Sequence, residues 1–123
     1  MKLLAGLVVV ASLGFTSCGM ASAAGAMDCK AIRSAYASAL VQAQLCDPAV
    51  PDSCGATRPK APQDVCRCQV AVNPARTAQL DQLLAQFQAQ ACPLNQGVCN
   101  RLCVSPGHGC AAGAGASPTC TGR

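Results

Sequence analysis

Two groups of side chains have the types and spacings from which chemistry could be built. Cys66-Arg67-Cys68 sets two thiols one residue apart beside a fixed positive charge, the makings of a redox couple or of half a metal site. Cys99-x3-Cys103-x4-His108-x-Cys110 brings three thiols and an imidazole into one short stretch, a donor set that zinc accepts. Both chemistries require reduced cysteines. Eleven cysteines in 123 residues is the density of small domains folded where thiols oxidise. In that setting Cys66 and Cys68 are expected to be structural half-cystines, each bonded elsewhere. His108, inside Pro106-Gly107-His108-Gly109, then reads as a solvent-facing turn residue.

Catalysis has little to stand on. There is one histidine, no glutamate, and no G-x-S-x-G or H-E-x-x-H pattern. The five aspartates are scattered over positions that suit helix caps and turns. A non-enzymatic protein is expected, with no catalytic residue, no cofactor and no metal. The net charge of +4 comes from dispersed lysines and arginines without interleaved aromatics, which excludes a nucleic-acid footprint.

Cys18 stands apart from the other ten. It follows a short basic start, Met1-Lys2, and an apolar run from Leu3 to Phe15. That run is too short for a bilayer span of ~20 residues and suits a cleaved export signal. Two processing routes remain open. Cleavage in Ala21-Ser22-Ala23-Ala24 removes residues 1–24 as a signal peptide. Gly14-Phe15-Thr16-Ser17-Cys18 instead resembles a bacterial lipobox, in which residues 1–17 leave and Cys18 becomes the lipidated terminus. Either route leaves an even set of ten free-to-pair cysteines: Cys29, Cys46, Cys54, Cys66, Cys68, Cys92, Cys99, Cys103, Cys110 and Cys120. The expected location is extracytoplasmic, either secreted or periplasmic, or lipid-anchored to the cell envelope.

These cysteines must be positioned by a thin scaffold. Beyond the signal the aromatics are only Tyr36 and Phe87. Such a core cannot easily offset backbone ordering at ~1–2 kcal/mol per residue, whereas disulfides at ~2–4 kcal/mol each can supply the difference. Asp28 can cap a helix reaching about Cys46, with Cys29, Ile32, Tyr36, Ala39, Leu40, Ala43 and Cys46 on one face. Asp47-Pro48 ends it. Residues 47–65, with four prolines and Gly55, read as a loop pinned by Cys54. Cys66, Cys68, Val70 and Val72 alternate as in a short extended segment. Asn73-Pro74 opens a second helix to about Ala91, with Leu80, Leu83, Leu84 and Phe87 on its apolar face.

The expected fold is therefore small, disulfide-rich and mainly α. It is an antiparallel two-helix hairpin (about 28–46 and 74–91) within residues 25–92, followed by a loop-rich, cysteine-rich tail, 93–123, of the same domain. Cys29 and Cys46 would stand ~25 Å apart along one helix and could not pair. An antiparallel arrangement predicts Cys29–Cys92, then Cys46 with one of Cys66 and Cys68, and Cys54 with the other. Cys99, Cys103, Cys110 and Cys120 are expected to pair among themselves.

The pattern D-C-x6-Y-x3-L-x5-C, a Pro/Gly loop with one cysteine, and C-x-C-x-V-x-V-N resembles small cysteine-rich exported proteins of GC-rich bacteria such as myxobacteria. That resemblance spans Asp28 to Asn73 and implies a structural scaffold without a transferable activity. The C-x-C and the stapled helices are also similar to the lipid-transfer and seed-albumin type of fold, which implies a carrier of hydrophobic ligands. Three roles follow as expectations. The first is a structural or binding protein of the envelope, with an unknown protein or small-molecule partner and membrane contact only through a lipid. The second is a carrier with a cavity at Leu40, Leu83, Leu84 and Phe87, or an inhibitor presenting the connector 47–65. The third is a thiol-redox or metal-binding protein.

Overall fold

The computed structural model describes residues 26–112 and 115–121. The signal segment, its cleavage sites and Cys18 lie outside the described residues.

Asp28 adopts an extended conformation and its Oδ1 accepts the N–H of Ala31 at 2.7 Å. This caps helix α1, Cys29–Ala43. Ile32, Tyr36, Ala39 and Ala43 recur at helical spacing and form its buried face. The helix stops three residues short of the expected Cys46. Beyond Ala43 the backbone is claimed by distant partners: the Ala43 carbonyl accepts from Asn73 at 2.7 Å and the Gln44 carbonyl from Cys120 at 2.7 Å. Cys46 in turn donates to the Pro118 carbonyl at 3.1 Å. Long-range pairing wins over local helix propensity at this end.

Asn73 starts the second helical region as its sequence suggests, its Oδ1 accepting from Ala75 at 3.0 Å. The expected single helix is divided, however. A short 3-10 turn covers Pro74–Arg76, and α2 then runs Ala78–Ala89. Leu80, Leu83 and Phe87 are its buried residues. Ala91 takes a left-handed φ of 49°. Cys92 donates to the Phe87 carbonyl at 3.1 Å and Ala91 to that of Gln88 at 3.0 Å, the bond pair of a Schellman ending. This turn aims Cys92 back at Cys29, and the two are bonded.

The two helices do not make a simple hairpin, and the expectation of an irregular connector and tail is corrected here. The connector contains strand β1, Ala56–Pro59, which pairs antiparallel with β2, Gln69–Val72. The tail contains β3, Gly109–Ala111, paired antiparallel with β4, Thr119–Thr121. β2 separates two packed clusters. Val72, with Val70 against it, joins Ile32, Tyr36, Leu80, Leu83 and Phe87 on the helical side. Ala71 faces the other way, onto Cys54 and Cys120. The period-two alternation of a strand thus serves two small cores at once. Ala56-Thr57-Arg58-Pro59 carries no apolar alternation, so its strand state comes from pairing rather than from propensity.

Polar contacts tie the ribbon to the helices. The Tyr36 hydroxyl donates to the Pro59 carbonyl at 2.7 Å. Arg58 holds the Asp81 carboxylate through Nε and through Nη2, the latter at 2.9 Å.

All ten cysteines among the described residues are bonded, and four of the five bridges differ from the expected set. Besides Cys29–Cys92 they are Cys46–Cys110, Cys54–Cys120, Cys66–Cys99 and Cys68–Cys103. Cys46 and Cys54 do not meet Cys66 and Cys68, and the tail cysteines do not pair with one another. The reason is topological. The tail folds back over the face of β2 opposite the helices, so every tail cysteine finds its partner in the preceding chain.

Candidate functional site

After α2 the chain runs across residues 60–68 and is fastened to them repeatedly. Asn95 donates its N–H to the Gln63 carbonyl at 2.8 Å. Cys99 is bonded to Cys66 and Cys103 to Cys68. Between those bridges Arg101 donates from Nη2 to Asp64 Oδ2 at 2.7 Å. Asp64 is one of the two buried polar residues of the core. Burial pushes its carboxyl up, but the Cys66 N–H at 3.0 Å and the Arg101 guanidinium outweigh that and hold it below its ordinary value. The aspartate that anchors the loop is therefore a carboxylate at neutral pH.

What the loop presents is apolar. Arg101 and Cys103 are tied to the body, while the residues that alternate with them are open to solvent. Leu102 is 97% exposed and Val104 77%, and Val98, one residue before Cys99, is 89% exposed. Residues 98–108 belong to no helix or strand. Among the described residues, none of 96–108 makes a backbone–backbone hydrogen bond. The segment is an irregular run without backbone–backbone hydrogen bonds among the described residues, with two disulfide anchors and three bare aliphatic side chains. A cleft of about 320 Å³ separates it from β2, with Leu102, Val104 and Pro106 on one wall and Lys60, Gln69 and Ala71 on the other.

The cysteines of the two candidate chemical groups are half-cystines, and Cys66 and Cys68 are each bonded elsewhere, as expected. Cys66 and Cys68 are joined to separate partners, and Arg67 between them has a left-handed φ of 50° rather than an extended one. Cys99, Cys103 and Cys110 belong to three different bridges. His108 is exposed, as expected, and its Nδ1 lies 2.9 Å from the Cys54 carbonyl. The structure does bring together a sulfur group that spacing does not reveal. Cys110 and Cys120 face each other across β3 and β4, so the bridges Cys46–Cys110 and Cys54–Cys120 lie side by side. The sulfurs of Cys46, Cys54 and Cys110 fall within 4.8 Å of one another.

The expected carrier cavity does not form between all four residues: Leu84 and Phe87 border an open cleft of about 480 Å³ with Pro59, Pro62 and Leu94, which Leu40 and Leu83 do not line. Leu83 and Phe87 are buried in the main core, and Leu40 and Leu84 pack against it. In the connector 47–65, residues 47–52 are exposed, whereas Ser53, Cys54 and Asp64 are buried and pin the segment to the body. The exposed segment fastened by two bridges is the 98–106 stretch of the tail. Sequence reasoning passed over Leu102 and Val104. Their one available signal was an aliphatic pair flanking Cys103 in a region otherwise rich in Gly, Pro and Ser.

Comparison with protein-family models, with curated proteins and with solved structures finds no match to the chain.

Proposed function

We propose that this chain is an exported, non-enzymatic protein that acts by binding another protein, with the loop around Leu102 as its contact surface. The observation that carries the reading is the near-complete exposure of Leu102 between two disulfide anchors, Cys99–Cys66 and Cys103–Cys68. An aliphatic side chain held rigidly in water favours association, because its burial releases apolar surface and little ordering remains to oppose it. Five disulfides are typical of extracellular proteins. Among the described residues no helix is long and apolar enough to cross a membrane. Export, followed by release after residues 21–24 or by anchoring through lipidated Cys18, is part of the same proposal.

The test uses the full oxidised chain with a photo-crosslinking residue at position 102, or at the exposed position 79 of α2 as control. Exposed to intact cells of the producing organism, the position-102 probe is expected to yield a discrete adduct that unlabelled protein competes away. Equal labelling from both positions, or no competition, would overturn the reading.

A further inference from the structure

We infer that the loop is an inhibitory segment for a serine endopeptidase with an apolar primary-specificity pocket, and that Leu102 is the side chain that enters it. This rests on the binding role proposed above for the same loop and names the class of its partner.

Three observations converge on that partner. The backbone of residues 96–108 makes no backbone–backbone hydrogen bond among the described residues, and endopeptidase clefts bind their substrates through main-chain hydrogen bonds to an extended segment. Leu102 is almost wholly exposed, as a residue that must fill a pocket on another protein has to be. The flanking residues cannot follow it, since Arg101 is held by Asp64 at 2.7 Å and Cys103 by Cys68. The loop therefore offers Leu102, the most exposed of its three bare aliphatic side chains, on a backbone restrained at both neighbouring positions, which lowers the ordering cost of docking.

The bridges also explain why such a segment would inhibit rather than be consumed. The enzyme's serine Oγ attacks the Leu102 carbonyl, the Leu102–Cys103 bond breaks, and the serine proton passes through the enzyme's base to the Cys103 amine. In an ordinary substrate that amine departs and water completes hydrolysis. Here the amine stays tied through Cys103 to Cys68, and the acyl half stays tied through Cys99 to Cys66. Only Arg67 separates the two anchor points. The amine remains beside the ester, attacks it, restores the peptide bond and returns the proton to serine. This return path needs an acyl-enzyme, which metallo- and aspartic endopeptidases do not form. A cysteine endopeptidase would set a thiolate beside the Cys68–Cys103 bridge and open it by exchange. The serine class is the one that both chemistries allow.

The experiment titrates chymotrypsin, subtilisin and, as a charged-pocket control, trypsin with the oxidised protein, and follows residual activity on small chromogenic substrates. Stoichiometric inhibition of an apolar-pocket enzyme is expected, with trypsin unaffected. Leu102→Asp is expected to weaken inhibition by about a hundredfold, with an intact mass showing five disulfides retained. Leu102→Lys is expected to transfer inhibition to trypsin. Arg101→Ala is expected to raise both the inhibition constant and the rate of cleavage after residue 102, because the acyl half is then less firmly held. Cleavage at Leu102 at ordinary substrate rates without inhibition would overturn the inference. So would the absence of inhibition of all three enzymes by correctly oxidised protein. If the position-102 crosslink forms while no peptidase is inhibited, the inference falls and the binding role stands. If neither occurs, both fall.

Discussion

Tyr36 provides a direct test of how the two-layer core is assembled. It is the only tyrosine, and the chain has no tryptophan, so phenolate absorbance reports this one group. The side chain is fully buried and its pKa is pushed up to about 12. Burial is the main cause; the nearby Arg58 guanidinium pulls the value back down, and the Asp81 carboxylate adds to the rise. The hydroxyl also donates to the Pro59 carbonyl, a bond that ionisation abolishes. In the unfolded chain the same phenol titrates near ~10. Between these values the unfolded state has lost a proton that the folded state keeps, so stability falls as pH rises. The contribution is complete below about pH 10 and is lost by about pH 12, a difference of about 3 kcal/mol at 1.36 kcal/mol per unit. A rapid pH jump read before alkali cleaves the disulfides should show the folded midpoint well above that of reduced, denatured protein. Coincident midpoints would refute the reasoning, because they would mean that water reaches the hydroxyl. Tyr36→Phe should remove this alkaline decline and cost about 1–2 kcal/mol at neutral pH, since the Pro59 carbonyl then lacks its donor.

Three further outcomes follow from the same structure. Cys46→Ser leaves the Cys110 thiol in a sulfur group that spans 4.8 Å with Cys54. Its thiolate is expected to attack the Cys54–Cys120 bridge and release a new thiol, so a peptide map should show a mixture of bonded forms, and a single unexchanged Cys54–Cys120 bridge would contradict this. Replacing Cys29 and Cys92 together by Ser opens a loop with a sequence separation of 63, for which chain entropy gives a loss of about 4 kcal/mol as an upper figure. The other four bridges already restrain that loop, so a thermal-unfolding loss between about 1 and 4 kcal/mol is expected. The Arg58 bonds hold the Asp81 carboxyl below its ordinary value, yet that side chain is 49% exposed, so Asp81→Asn should cost no more than about 1 kcal/mol. That difference should be present above about pH 4 and vanish as pH falls through the folded value, which acid unfolding of the two proteins will show.

The bridge pattern gives the molecule its division of labour. Cys29–Cys92 closes the helical side. Cys46–Cys110 and Cys54–Cys120 hold β3 and β4 to the chain that follows α1. Cys66–Cys99 and Cys68–Cys103 fasten the exposed loop. The loop is thus held independently of the helical core, and changes at Leu102 should leave folding intact because its side chain touches water on nearly every side.

What could be read from the chain alone was what depends on neighbours in sequence. The Asp28 and Asn73 caps act within three residues, and both form. The apolar stripe of Ile32, Tyr36 and Ala39 and that of Leu80, Leu83 and Phe87 repeat with the helical period, and both are buried. An even set of ten cysteines pointed to complete pairing, and Cys29–Cys92 followed from helix length. Tertiary structure decided the rest. The strand state of Ala56–Pro59 exists only because Gln69–Val72 lies beside it. The end of α1 at Ala43 depends on residues 73, 118 and 120 competing for its backbone. The four remaining bridges join partners separated by 33 to 66 positions, a choice made by how the tail crosses β2 and carrying no local signature. The lipidation expected at Cys18 lies outside the described residues. Leu102 was invisible for the opposite reason. An aliphatic residue between cysteines looks like core until the fold shows that both its neighbours are fastened and it is not.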